Sequence, residues 1–171
     1  FLAKELELLK DKKNQLKIIA TEENLATEIE IDGIDFSIKL HGQVDRVDEL
    51  NGVVRIIDYK TGLVNSSELK VSDFEKLREK QQYKAIQVLL YAYLFTKNKN
   101  YNSSQPLEAG IFSFKNLNSG FLSIDFAQPR KKPEKNISQE NLEEFINEIK
   151  TYILEIYNLE EDFIEPADLK Y

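Results

Sequence analysis

Apolar positions along the chain repeat first with the period of a helix and then with that of a strand. Leu2, Leu6, Leu9, Leu16 and Ile19 recur at helix-like spacing among Lys and Glu, so residues 1–20 read as a helix softly interrupted at Asp11-Lys-Lys-Asn. From Thr27 the period becomes two. Ile29 and Ile31 alternate with Glu28 and Glu30, and Asp32-Gly33 offers a hairpin turn. Ile34, Phe36, Ile38 and Leu40 then alternate in a second strand that runs on through Asp48. Glu49-Leu-Asn-Gly is another turn, signalled by Asn51-Gly52, and leads into a third strand from Gly52 to Lys60, closed by Thr61-Gly62. Three strands joined by short turns predict an antiparallel meander.

Ser66 to Asp73 reads as a polar loop ahead of a long helix over Phe74–Lys97, with an apolar surface that includes Phe74, Leu77, Ile86, Leu90 and Leu94. Asn98 to Pro106 is a loop rich in Asn and Ser. Leu107–Lys115 and Gly120–Phe126 read as two more strands around Asn116-Leu-Asn-Ser. A basic linker, Pro129-Arg-Lys-Lys-Pro133, precedes a last amphipathic helix that opens at Ser138 with Asn141 and ends near Tyr157. Helix, three strands, helix, two strands, helix: this order predicts an α/β or α+β domain, one sheet with helices on its faces. There is no internal repeat.

The 171 residues fit one domain, and an apolar share of 42% is enough for a packed core. No stretch approaches the roughly 18 uncharged apolar residues of a membrane span. Phe1-Leu-Ala-Lys-Glu-Leu lacks the run of a secretory signal, so a cytoplasmic location is expected. The chain starts without Met inside a helical pattern, which predicts a piece of a longer protein. With no cysteine, it has no disulfide framework, thiolate zinc site or iron–sulfur cluster of its own. A net charge of −7 disfavours non-specific adhesion to polyphosphate. A centre that holds cations, however, must itself be rich in carboxylates.

The candidate chemistry sits at the end of the third strand. Residues two apart on a strand face the same way, so Val54, Ile56, Asp58 and Lys60 share a face whose apolar half is core and whose charged half emerges at the strand end. Asp45 lies on the neighbouring strand. Pairing about a Leu50–Asn51 turn sets it near Ile56, one pleat from Asp58. Two converging carboxylates suit Mg²⁺, which takes oxygen ligands and keeps several waters, and the backbone carbonyl of Tyr59 can complete the shell. Lys60 would position or deprotonate an attacking water, or stabilise a transition state at phosphorus. Asp48, pointing away from Asp45, reads as a turn-capping residue, and His41 as a plain strand histidine. Arg46 reads equally as the partner of an acid or as a phosphate contact. Arg130 to Lys132 read as a solvated linker.

Gly42-Gln-Val-Asp45-Arg46-Val-Asp48, Ile57-Asp58-Tyr59-Lys60-Thr61-Gly62 and Gln87-Val-Leu-Leu-Tyr91 together resemble the RecB-like branch of the PD-(D/E)XK nuclease superfamily, over roughly Glu28 to Phe95. That branch includes the nuclease domains of the RecB and AddB recombination proteins. The resemblance implies a restriction-endonuclease-like core, a central mixed sheet with the meander, and Mg²⁺- or Mn²⁺-dependent hydrolysis of DNA. Asp45, Asp58 and Lys60 match the family's two acids and lysine; Gln87 and Tyr91 match its helix motif beside the metal centre. By the same resemblance the task is exonucleolytic processing of double-strand breaks, with DNA and a helicase domain or subunit as partners. Family members commonly bring a further ligand, often a His, from a helix before the first acid. No His precedes His41 here; Glu5 or Glu7 could take that place. The rival expectation is an inactive domain of the same fold that guides DNA or serves as structure.

Overall fold

The computed structural model describes residues 2–78, 82–97, 101–126 and 134–158; the basic linker around Arg130 lies outside them. Helix α1 covers Leu2–Lys10 only. The helix expected to reach residue 20 ends early because Asp11 and Asn14 cap it: Asn14 Nδ2 donates to the Leu8 carbonyl at 2.8 Å, and Lys13 N–H to Asp11 Oδ1 at 3.0 Å. Beyond the cap, β-branched Ile18, Ile19 and Thr21 favour extended backbone, and strand β1 runs over Leu16–Ile29. Leu16 and Ile19 are therefore strand residues, not helix residues.

Strands β2 (Ile38–Leu50) and β3 (Val53–Lys60) complete the antiparallel meander. The first connection is longer than expected. Strand β2 begins at Ile38 rather than Ile34, and Asp32-Gly33 is a turn inside the 30–37 loop, with Gly33 at φ 93°. Asn51 and Gly52 both have positive φ, 54° and 84°, as a tight hairpin turn requires. Gln15 N–H donates to Asn51 Oδ1 at 2.8 Å, which ties this turn to the start of β1.

After a 3₁₀ turn at Ser66–Leu69 comes the two-residue strand β4 (Lys70–Val71), then helix α2 over Tyr83–Thr96. The expected start of α2 at Phe74 is too early. Phe74 and Leu77 lie in a turn of their own, where the Phe74 ring meets those of Phe126 and Phe145. Their helix-like spacing serves the core without a helix. Strand β5 (Leu107–Ser113) pairs with β3 in parallel, and β6 (Leu122–Ser123) pairs with β5 antiparallel. Strand β7 (Asp125–Phe126) leaves that sheet and pairs with β4, so the last expected strand is divided between two sheets. Helix α3 (Gln139–Tyr157) opens at Ser138, whose Oγ accepts from Asn141 N–H while Asn141 Oδ1 accepts from Ser138 N–H.

The result is a mixed five-stranded sheet in the order β1-β2-β3-β5-β6, consistent with a restriction-endonuclease-like fold. Helix α2 packs across β1, β2, β3 and β5, and α3 packs on α2. Val47, Val54, Ile56, Ala109 and Ile111 from the sheet meet Ala85, Val88, Leu89 and Ala92 of α2 in one apolar core. Among the described residues, no helix is long and apolar enough to cross a membrane.

Candidate active site

The Asn51-Gly52 turn decides which residues of β2 and β3 face each other. Leu50 pairs with Val53 and Arg46 with Ile57. Continued one step, this register sets Asp45 opposite Asp58 and not near Ile56, as a turn centred one residue earlier would have done. Tyr59 N–H donates to Asp45 Oδ2 at 2.7 Å. On a strand, the N–H and C=O of one residue point to the same edge, so the Tyr59 carbonyl also faces Asp45. Asp45 sits at an irregular point of β2. Val44 and Val47 both enter the core, although they are three positions apart, and Glu22 on the adjoining stretch of β1 has φ 51°.

Asp58 is only 4% exposed and lies 2.8 Å from Lys60 Nζ. Lys60 Nζ also donates to Gln87 Oε1 at 2.8 Å, and Gln87 Nε2 donates to Tyr91 Oη at 2.8 Å. Gln87 and Tyr91 are one turn apart on α2, so a single helix face carries both. With its amide turned this way, Gln87 makes Tyr91 Oη an acceptor and leaves the hydroxyl proton free for another group. Gly42 admits the Tyr91 ring: a Cβ there would lie 2.7 Å from Tyr91 Cε1. The segment beyond Lys60 is fixed by Ser113 Oγ, which donates to the Gly62 carbonyl at 2.8 Å and accepts from Val64 N–H. Ser113, fully buried, is a supporting residue that the sequence did not single out.

Burial raises the pKa of Asp58, the nearby Lys60 ammonium lowers it, Asp45 raises it further, and the net shift is upward. Asp58 Oδ2 is buried, and the polar group described against it is Lys60 Nζ at 2.8 Å. An acceptor with spare capacity, a second carboxylate and a backbone carbonyl at the same edge fit an oxygen-seeking divalent cation that retains waters. Asp45, Asp58 and the Tyr59 carbonyl would be its protein ligands. Among the described residues, no group of three or more His, Cys, Asp and Glu gathers that could hold an ion.

The reverse face of the sheet holds a separate charge cluster. Asp48 is fully buried between Arg55, whose Nε and Nη2 donate to it at 2.7 and 2.9 Å, and Arg46. It anchors these arginines and is not a turn cap. Arg46 also reaches Glu5 of α1 at 2.8 Å and Tyr59 Oη at 3.2 Å. Arg46 is thus the partner of acids, and Glu5 stands on the face opposite Asp45. Glu7 is exposed, and so is His41. Neither helix acid joins the Asp45–Asp58 pair.

A family model for the PD-(D/E)XK nuclease superfamily matches residues 2–168, nearly the whole chain. The chain belongs to the PD-(D/E)XK nuclease superfamily. Nucleases of this superfamily typically use divalent metals, in keeping with the acid pair at the β2–β3 edge. No curated protein matches the chain. Among solved structures, the crystal structure of SSO0001 is similar at 13% identity and a TM-score of 0.35, covering 92% of this chain and 57% of that one. The chain thus spans a little over half the length of that protein.

Proposed function

We propose that the chain is a metal-dependent deoxyribonuclease of the RecB/AddB-like type, with Asp45, Asp58, Lys60, Gln87 and Tyr91 as its working residues. The observation that carries this reading is the convergence of Asp45, Asp58 and the Tyr59 backbone at one strand edge, with the Lys60–Gln87–Tyr91 chain beside it. Mg²⁺ or Mn²⁺, when bound, supplies a more acidic water and offsets charge that builds on the phosphorus centre. Asp45 and Asp58 would hold the cation in place. Lys60, donating to Gln87, presents its remaining ammonium protons where a phosphate oxygen would enter. Tyr91 offers its free hydroxyl proton to the same oxygen or to the attacking water.

In this reading the chain is one nuclease domain of a longer cytoplasmic helicase–nuclease or repair protein, acting as an exonuclease on broken DNA ends. A helicase domain or subunit supplies most of the grip on DNA, which reconciles a net charge of −7 with a polyanionic substrate. The second reading, an inactive nuclease-fold module that guides DNA, is favoured by one observation: no third acid joins Asp45 and Asp58 among the described residues. Incubating the protein with linear and circular DNA in Mg²⁺, Mn²⁺ or EDTA separates the two. Loss of linear DNA from its ends, blocked by EDTA and by Asp58→Ala, supports the nuclease. Cutting by Asp58→Ala at the parent's rate refutes the assignment of the site.

A further inference from the structure

Tyr59 belongs to both faces of the sheet. Its backbone turns to Asp45 at the edge where the acids meet, and its side chain crosses to the reverse face. In a parallel pair, alternate residues turn both N–H and C=O to one neighbour. Val54 and Lys60 bond towards β5, through Val54 N–H to the Pro106 carbonyl and Phe114 N–H to the Lys60 carbonyl, each at 2.9 Å. The odd-numbered residues of β3, Tyr59 included, therefore face β2. There the described pairing ends at Arg46 and Ile57, two residues short of Tyr59. No described ladder bond reaches the Tyr59 peptide from β2.

Two consecutive residues of β2 take hold of Tyr59 instead, one from each face. Asp45 Oδ2 accepts its N–H at 2.7 Å, and Arg46 Nη1 donates to its hydroxyl at 3.2 Å. The ring between them stacks on Phe112 and Phe114, with centroids 6.2 and 5.8 Å away. Arg46 is 6% exposed and is itself fixed: Nη1 lies 2.8 Å from Glu5 Oε1 of α1, and Nη2 meets Asp48. A strand residue bonded on one face can still roll about the strand axis, whereas bonds on both faces stop the roll. Such a roll would swing the Tyr59 carbonyl away from the acid pair. Mg²⁺ demands near-ideal octahedral geometry, so a small tilt of one oxygen ligand costs affinity.

We propose that Arg46 and Glu5 are positioning residues for the cation: from the reverse face they hold the Tyr59 hydroxyl, and with it the Tyr59 carbonyl, where the shell needs it. Helix α1 thereby sets the metal affinity of a site on the other side of the sheet. The inference rests on the reading of Asp45, Asp58 and the Tyr59 carbonyl as cation ligands.

Calorimetric titration of the full chain with Mn²⁺, without DNA, tests it. Tyr59→Phe keeps the ring stack and deletes the hydroxyl, and should weaken Mn²⁺ binding by about 10-fold. Glu5→Ala should weaken it by about 3-fold. The double variant should bind no more weakly than Tyr59→Phe alone, because both changes act through one hydroxyl. Melting in EDTA reads the structural share of the cluster separately. Parental Mn²⁺ affinity in Tyr59→Phe overturns the proposal, even if its melting midpoint falls, and so do losses that multiply in the double variant. A parent that binds no Mn²⁺, or binds it no better than Asp58→Asn, removes the cation site itself and the nuclease reading with it. A chain that shows the coupling yet cuts no DNA keeps the positioning residues and loses only the nuclease reading.

Discussion

Gly42→Ala is the perturbation whose size the structure fixes best. The added Cβ would lie 2.7 Å from Tyr91 Cε1 and 3.1 Å from Cδ1, with Leu94 Cδ1 at 3.6 Å behind them. Carbon atoms settle at about 3.5–4.0 Å, so the ring must retreat by about 1 Å. Tyr91 Oη then leaves Gln87 Nε2, now 2.8 Å away, for a separation of about 3.8 Å, beyond hydrogen-bond reach. Overpacking and the lost hydrogen bond together cost about 2 kcal/mol. For a domain of this size, that lowers the melting midpoint by about 4–8 °C. On the nuclease reading, a displacement of about 1 Å beside Lys60 also slows cutting by about 10- to 100-fold. Calorimetry and a single-turnover cleavage assay measure the two effects. Tyr91→Phe separates them, because it removes the hydroxyl and keeps the ring: cutting should fall while the midpoint moves little. A Gly42→Ala protein that melts and cuts like the parent would refute the argument.

Other outcomes follow from the same geometry. Asp48→Ala leaves Arg46 and Arg55 buried without their shared acid and should cost about 3–5 kcal/mol in urea unfolding; an unmoved midpoint would contradict the cluster's role. Gly110→Ala sets a Cβ 2.1 Å from the Leu122 carbonyl oxygen and 2.7 Å from Ser123 Cα, and backbone cannot swing aside as a ring can. Its melting midpoint should therefore drop further than that of Gly42→Ala. Burial holds the folded-state pKa of Asp58 above its unfolded value, so the folded state binds that proton more tightly. The resulting stability is present below the ordinary carboxylate pKa of about 3.9 and is lost as pH rises through the raised folded value. At neutral pH in EDTA, Asp58→Asn should thus melt no lower than the parent, and added Mg²⁺ should raise the parent alone. Tyr152 is pushed up to about 12 by burial, with Glu148 beside it, and an absorbance titration should lose a late-ionising tyrosine in Tyr152→Phe.

Elements governed by a single local rule were legible in the residues. Asn51-Gly52 demanded positive φ at two successive residues, so the turn and the strand after it were legible. Elements with ambiguous spacing were not. Leu16 and Ile19 continue a helical period, yet the cap formed by Asp11 and Asn14 and the β-branched residues after it produce a strand. Phe74 and Leu77 fit a helix pattern equally well, but a packed turn satisfies both. At the site, the motif letters named Asp45, Asp58, Lys60, Gln87 and Tyr91. The Lys60–Gln87–Tyr91 hydrogen bonds depend on how α2 crosses the sheet, and no residue spacing encodes that. Asp48 and Glu5 were out of reach for a related reason: which acid an arginine chooses on the reverse face depends on where α1 docks.

The proposed chemistry requires that Asp45 and Asp58 hold one divalent cation between them. Titration of the protein with Mn²⁺, followed by the free-ion electron paramagnetic resonance signal, tests it without reference to any substrate. We expect saturable Mn²⁺ binding by the parent and its loss in both Asp45→Asn and Asp58→Asn. Parental Mn²⁺ affinity in either variant, or no binding by the parent, would contradict it.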